Sequence, residues 1–327
     1  MLYLSGQDIR KCMTADVAMD AVEDALAIQE SGNFQMPDRL AMACGDSGEQ
    51  LLLMPSRTDS ALATKLVSVF PKNREAGKAV IQGLVVYCDP GSGEILALME
   101  GSTLTAMRTG AVSGVSIRHL ATESATTLAV VGCGVQAFDQ VLFACAARPI
   151  ERVLLLSKPA DSVQALIPKL LDALPGVEIS AAHSMDDLMR QSQILITATT
   201  ARSPVLPNDP PLFENKHCIA IGSFEPSVRE YPDAVFARTR RVWVDTPHAQ
   251  VESGEIAIPL ETGVLRGDQL MTLGAQIASS SPLDRGEFGC TFFKSVGMAL
   301  FDLTVAQAIY AQAKSHGLGM ELPMGSV

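Results

Sequence analysis

Three basic residues stand in surroundings that do not suit a charge. Arg39 lies in Met36-Pro37-Asp38-Arg39-Leu40-Ala41-Met42, and Lys65 sits inside the apolar run Ala61-Leu62-Ala63-Thr64-Lys65-Leu66-Val67. Arg108 falls in Leu104-Thr105-Ala106-Met107-Arg108-Thr109-Gly110-Ala111, otherwise small and apolar. The planar fork of arginine grips a carboxylate through two parallel charge-assisted hydrogen bonds. A lysine in an apolar setting loses proton affinity, which suits it to proton transfer. Each of the three also reads as a snorkelling or salt-bridged side chain, and spacing alone does not bring them together.

A second constellation is Leu128-Ala129-Val130-Val131-Gly132-Cys133-Gly134-Val135-Gln136-Ala137. An apolar, β-branched run enters a glycine-spaced turn, and a helical pattern follows through Phe138, Val141, Leu142 and Cys145. Gly132 permits the sharp turn, Gly134 has no Cβ to obstruct a pyrophosphate, and Ala137 keeps helix and strand close. The phosphates would then meet N–H groups at a helix N-terminus. Taken alone, the string is equally a structural strand-to-helix turn.

In a dinucleotide fold the tip of the next strand selects the cofactor, because a carboxylate there holds both ribose hydroxyls and repels a 2′-phosphate. Here Val153-Leu154-Leu155-Leu156 ends in Ser157-Lys158-Pro159, and Asp161 comes too late. A hydroxyl followed by a cation suits a phosphate, although Lys158 also reads as a solvated surface lysine. The expectation is NADP(H) in preference to NAD(H).

These groups need elements to position them. Ser5-Gly6-Gln7-Asp8 and Thr14-Ala15-Asp16 read as helix starts, and Ser31-Gly32-Asn33 as a stop. From Arg39 to Leu98 short apolar pieces are separated by turn residues, with a hairpin signal at Asp89-Pro90-Gly91-Ser92-Gly93. Leu104 to Leu120 is helical. Strand and helix then alternate, with strands expected at Leu128–Val131, Val153–Leu156, Val177–Ala181, Ile194–Ala198, Ile219–Ile221 and Val242–Val244. That alternation predicts an α/β chain with a Rossmann-type doubly wound parallel sheet. The apolar helix from Val296 to Ala313 is expected to return to the first part. A substrate and dimerisation domain of α+β character over 1–115, completed by 300–327, would flank a nucleotide domain over 116–299.

The chain has 327 residues, 47% of them hydrophobic and 19% charged, with a net charge of −11. That charge argues against nucleic acid and against an anionic membrane surface as partners. No apolar run reaches the ~20 residues that span a bilayer, and the first residues lack the plan of a signal peptide. Seven scattered cysteines read as reduced thiols of a cytoplasmic protein. The five histidines show no ligand spacing, so no metal is expected.

Taken in order, Ala106-Met107-Arg108-Thr109-Gly110-Ala111, Gly132-Cys133-Gly134-Val135-Gln136-Ala137, Ile221-Gly222-Ser223-Phe224-Glu225-Pro226, Glu252-Ser253-Gly254-Glu255 and Phe293-Lys294-Ser295-Val296-Gly297-Met298-Ala299 resemble the ornithine cyclodeaminase/μ-crystallin family over nearly the whole chain. The resemblance implies a homodimer and a pocket in which Arg39, Lys65 and Arg108 hold a substrate carboxylate against the nicotinamide, with Lys65 and Arg108 catalytic. It implies that Val135 and Gln136 meet the pyrophosphate beside Gly132 and Gly134. Ser157 stands where NAD-using members carry an acid. Arg108, Thr109, Lys158, Thr199, Thr200, Ile221, Gly222, Ser223 and Ser295 would line the rest of the cofactor path, and Phe224 and Val296 the substrate.

Cyclodeaminases of the family resemble one another in an aspartate where this chain has Phe224, which neither takes a proton nor anchors a distal ammonium. Glu225 is adjacent, but along a strand the next position faces the other way. The expected activity is therefore NAD(P)H-dependent reduction of cyclic ketimine carboxylates, Δ1-pyrroline-2-carboxylate to L-proline or Δ1-piperideine-2-carboxylate to L-pipecolate. An alanine dehydrogenase, an ornithine cyclodeaminase and a non-enzymatic NADPH or small-ligand binder remain as alternatives.

Overall fold

The computed structural model describes residues 1–46, 48–279 and 281–323. It divides into two compact units, one formed by Met1–Arg108 with the stretch from Met298 onward, the other by Thr109–Gly297. The helix Gly101–Leu120 runs unbroken through the first division. Its periodicity therefore carries no mark of the boundary.

In the first unit, two helices start where capping oxygens stand. Ser5 and Asp8 form a capping box on Gly6–Cys12, and Thr14 caps Ala15–Ser31. Gly32, with φ at 71°, ends the second helix in the left-handed region open to glycine. Among the described residues seven strands pair in the order Met320–Glu321, Leu2–Leu4, Ile95–Glu100, Ile81–Cys88, Leu62–Val69, Gln50–Arg57 and Leu40–Ala43. The edge strands Met320–Glu321 and Leu40–Ala43, and Leu2–Leu4 beside the first of them, are two to four residues long. Pieces so short give too few positions for alternation to show. Asp89 closes the expected hairpin by accepting from the backbone N–H groups of Gly91 and Ser92 at 3.1 and 2.7 Å.

Strand alternation gives this sheet two unlike faces. Ala63, Lys65, Val85, Tyr87, Ala97 and Met99 are buried on one. The helix Ala299–His316 packs on the strands Gln50–Arg57 and Leu62–Val69. It is seated there by a 3.0 Å hydrogen bond from Ser56 Oγ to the Ala299 carbonyl. On the opposite face Leu40, Leu53, Leu66 and Leu84 stand in register. Leu40 and Met42 are 55% and 51% exposed.

Among the described residues the second unit carries eight strands, all parallel, in the order Leu270–Thr272, Thr239–Val244, Cys290–Lys294, His217–Ala220, Ile194–Thr197, Thr127–Val131, Arg152–Leu156 and Glu178–Ala181. This is the doubly wound sheet. The chain runs outward from Thr127–Val131, then returns to its other side at Ile194–Thr197, so the switch point lies between those two strands. Two strands escaped the sequence reading. Leu270–Thr272 is three residues long, and Cys290–Lys294 ends in a lysine. Both faces of a parallel sheet are covered, so a lysine looks foreign there until its partners are known.

Candidate functional site

The cationic cluster forms inside the first unit. Antiparallel pairing places Lys65 opposite Val85 and Met54, on the buried face that receives the helix Ala299–His316. From that helix Asp302 reaches two of the three predicted cations. Lys65 Nζ donates to Asp302 Oδ2 at 2.6 Å, and Arg108 Nε donates to Asp302 Oδ1 at 3.2 Å. Lys65, Asp302 and Arg108 are all buried. Burial lowers the proton affinity of Lys65, the Asp302 carboxylate raises it, and the charges of Arg108 and Arg39 lower it again. Arg39, half-buried just ahead of the strand Leu40–Ala43, thus joins the field at Lys65.

Asp302 is the residue that sequence reasoning missed. Its signal was the one that exposed Lys65, a lone charge in an apolar pattern, here Ala299-Leu300-Phe301-Asp302-Leu303-Thr304-Val305. It lies 237 positions from Lys65 and 194 from Arg108, and periodicity says nothing about such pairings.

Apart from Arg108 and Thr109, which lie on the helix Gly101–Leu120, the predicted nucleotide residues lie at the carboxyl ends of the strands in the second unit. Gly132 has φ at 98°, and a Cβ there would stand 2.5 Å from the Ala198 carbonyl oxygen. Nothing lies within 4 Å of a Cβ built on Gly134, which leaves the close approach that a pyrophosphate needs. Val135 is exposed, and Ala137, fully buried, opens the helix Ala137–Ala147. Ser157 Oγ accepts from the Cys133 N–H at 3.2 Å, which ties the tip of the next strand to the turn. These features fit a nicotinamide dinucleotide. Lys158 is exposed, and burial pushes the Cys133 thiol up to about 11, so the cysteine within the turn is inert.

Carboxylates fix Thr199, Gly222, Ser295 and Val296 among the remaining predicted positions. Glu230 Oε1 accepts from the Thr199 N–H at 2.7 Å, and its Oε2 from the Gly222 N–H at 2.7 Å and Thr197 Oγ1 at 2.8 Å. The Ile221 N–H bonds the Thr197 carbonyl at 2.9 Å, Ser223 and Ser253 share a 2.8 Å hydrogen bond, and Thr200 is exposed. Asp245 Oδ2 accepts from Ser295 Oγ and from the N–H groups of Val296 and Gly297 at 2.7, 2.9 and 2.7 Å. Lys294, fully buried, donates to the Ala220 carbonyl at 3.2 Å and feels Glu255, Glu230 and Asp245. Burial raises Glu255 to about 7, with the Lys294 charge opposing the rise. Thr109, the first residue of this unit, is buried on the helix Gly101–Leu120.

The segment around Phe224 corrects one expectation. It is not a strand but the loop that follows His217–Ala220, so alternation does not set its side chains. Phe224 is 61% exposed. Glu225 instead pairs with Arg202 at 3.2 Å, both of them exposed to water. Among the described residues, no group of three or more His, Cys, Asp or Glu is placed to hold a metal ion, and all seven cysteines are free thiols.

Comparison with known proteins agrees with this layout. The profile of the ornithine cyclodeaminase/mu-crystallin family matches residues 2–317. A Δ1-pyrroline-2-carboxylate reductase of Bacillus cereus is 31% identical over 326 residues, covering 98% of this chain and 99% of the relative. The structure of the Thermococcus litoralis Δ1-pyrroline-2-carboxylate reductase, in complex with NADH and L-proline, superposes with a TM-score of 0.90 at 32% identity, covering 98% of this chain and 100% of that one. An archaeal alanine dehydrogenase dimer with bound NAD gives a TM-score of 0.88 at 25% identity, with 99% of each chain covered.

Proposed function

The chain belongs to the ornithine cyclodeaminase/mu-crystallin family, and from that premise we propose that it is an oxidoreductase reducing the C=N bond of cyclic ketimine carboxylates, Δ1-pyrroline-2-carboxylate and Δ1-piperideine-2-carboxylate. The observation that carries this reading is the buried set Lys65, Asp302 and Arg108. Among the described residues, the two buried cations Lys65 and Arg108 share the single carboxylate of Asp302, and so leave positive charge for an anionic substrate.

Arg108 uses Nε for Asp302, and its Nη1–Nη2 fork is the part suited to the substrate carboxylate, assisted by Arg39. Lys65 carries the proton. Its ammonium donates one hydrogen to Asp302 and another to the imine nitrogen, so that the iminium is the form reduced. The bound nicotinamide supplies the hydride. Gly132, Gly134, Val135 and Gln136 would hold its pyrophosphate, and Thr199, Gly222, Ser223 and Ser295 the remainder.

NADP(H) is our preferred cofactor, with NAD(H) accepted, because the strand tip offers Ser157 and Lys158 and no carboxylate. The relative from Thermococcus litoralis and the archaeal alanine dehydrogenase were solved with NADH and NAD, which makes NADH the second reading. Phe224 speaks against amine elimination, since it neither accepts a proton nor holds an ammonium. We also read the protein as a homodimer joined through the open face that bears Leu40, Met42, Leu53, Leu66 and Leu84. Among the described residues no helix is long and apolar enough to cross a membrane.

The test is oxidation of NADPH and of NADH by the purified protein, offered each cyclic imine in turn, and then pyruvate with ammonia. Fast turnover of the imines with NADPH ahead supports the reading. Turnover confined to pyruvate and ammonia moves it to an amino-acid dehydrogenase. Silence with all of them, alongside NADPH binding, leaves a ligand-binding protein.

A further inference from the structure

Two of the loops at the sheet's carboxyl edge end on a single carboxylate, and we propose that Glu230 is a positioning residue that sets the protein's grip on the nicotinamide half of its dinucleotide. The proposal rests on the dinucleotide reading above. No part of the hydride chemistry is assigned to Glu230 itself.

The geometry is specific. Glu230 is fully buried, and both of its oxygens face donors: the Thr199 N–H on Oε1, the Gly222 N–H and the Thr197 hydroxyl on Oε2. Thr197 ends the strand Ile194–Thr197 and Thr199 follows it, and Gly222 follows its neighbour His217–Ala220. One side chain therefore ties together two adjacent strand ends on the far side of the switch point from Ser157. Tyr231 fastens the same two strands lower down, its hydroxyl lying 3.0 Å from the Leu195 carbonyl and 3.3 Å from that of Ile219. The backbone N–H groups of Glu230 and Tyr231 are themselves held by Glu255.

The loops so tied leave no slack. A Cβ on Gly222 would stand 2.7 Å from both Glu230 Oε1 and the Thr199 nitrogen, and a Cβ on Gly132 would meet Ala198 and Thr199. The glycine turn and the two loops thus form one close-packed floor with Glu230 beneath it. In a doubly wound fold the pyrophosphate sits on the glycine turn and the adenosine lies toward the next strand tip. The other half of the dinucleotide then lies over the loops that Glu230 ties.

Glutamine is the informative substitution. It is isosteric, yet either orientation of its amide sets an NH₂ against a backbone N–H that needs an acceptor. The experiment measures dissociation constants of the full-length protein for NADH and for ADP, which carries only the adenosine and phosphate portion. Melting temperatures are recorded beside them. For Glu230→Gln we expect the NADH constant to rise about tenfold or more, with ADP binding unchanged and KM for the imine unchanged at saturating cofactor. Thr197→Val, which removes only the hydroxyl donor, should raise the NADH constant about threefold and spare ADP. It decides the matter if Glu230→Gln does not fold. Equal weakening of NADH and ADP overturns the proposal in favour of general loosening, and so does unaltered NADH binding in both variants. A folded wild type that binds neither NADH nor NADPH instead removes the dinucleotide reading beneath it.

Discussion

Lys65 Nζ lies 2.6 Å from Asp302 Oδ2, with both side chains almost wholly out of water. Burying an ion pair costs desolvation that its attraction only partly returns, whereas removing one partner strands a charge. Here the imbalance is larger, because Arg108 shares the same carboxylate and the Arg39 charge reaches Lys65. The Asp302 carboxylate raises the proton affinity of Lys65 against its burial and the neighbouring arginine charges.

Asp302→Asn should therefore act through the protonation of Lys65. The Lys65 pKa lies below its ordinary 10.5, so the unfolded chain binds more protons just beneath that value, and Lys65 makes stability rise as pH climbs toward it. Without the carboxylate that raises Lys65, its pKa falls further. The alkaline limb of the kcat/KM profile should move to lower pH, with kcat/KM at neutral pH reduced about a hundredfold. A uniform loss at every pH would assign Asp302 a purely structural role.

Arg108→Lys keeps the charge and removes the fork. Hydrogen bonds to charged groups contribute about 1.5–3 kcal/mol, so kcat/KM for the cyclic imine should fall roughly tenfold to a hundredfold, mainly through KM. Steady-state kinetics at saturating cofactor measure this. Unchanged efficiency would refute the carboxylate clamp, because lysine cannot reproduce a bidentate grip.

The clamp and the cofactor floor were not equally legible in the sequence. Lys65 and Arg108 announced themselves as charges within apolar patterns, and the glycine turn as a break between strand and helix periods. Asp302 offered the same kind of signal but no partner, since its contacts close loops of 194 and 237 positions. Glu230 gave no signal, because it sits in a stretch already rich in charge, Glu225 to Asp233, where one more carboxylate looks like solvated surface. The fold was readable wherever a strand was long or flanked by turn residues. It was not readable at Cys290–Lys294, whose lysine finds its countercharges in Glu230, Asp245 and Glu255, all supplied by other segments.

Ser157→Asp tests the cofactor reading. A carboxylate at the tip of Arg152–Leu156 would face the 2′-phosphate of NADPH, and like charges brought together cost several kcal/mol. NADPH binding should weaken by at least about tenfold, while NADH gains a partner for its ribose hydroxyls. The ratio of kcat/KM for the two cofactors is the quantity to measure. A wild type that already prefers NADH would show that Ser157 and Lys158 do not read the phosphate.

Glu255 makes the stability of the second unit depend on pH. Burial raises its pKa from an ordinary 4.5 to about 7, so between those values the folded chain holds a proton that the unfolded chain has released. Its contribution to stability is therefore fully present below pH 4.5 and is lost as pH rises through about 7. Glu255→Gln keeps an oxygen for the Glu230 and Tyr231 N–H groups but cannot ionise. Relative to wild type, it should gain a few kcal/mol on passing from the acid to the neutral end of that window. Trp243, the single tryptophan, is buried in this unit, so denaturant unfolding followed by its fluorescence reports the right region. A wild-type-to-variant difference that stays flat across the window would mean that Lys294 holds the Glu255 carboxylate ionised throughout.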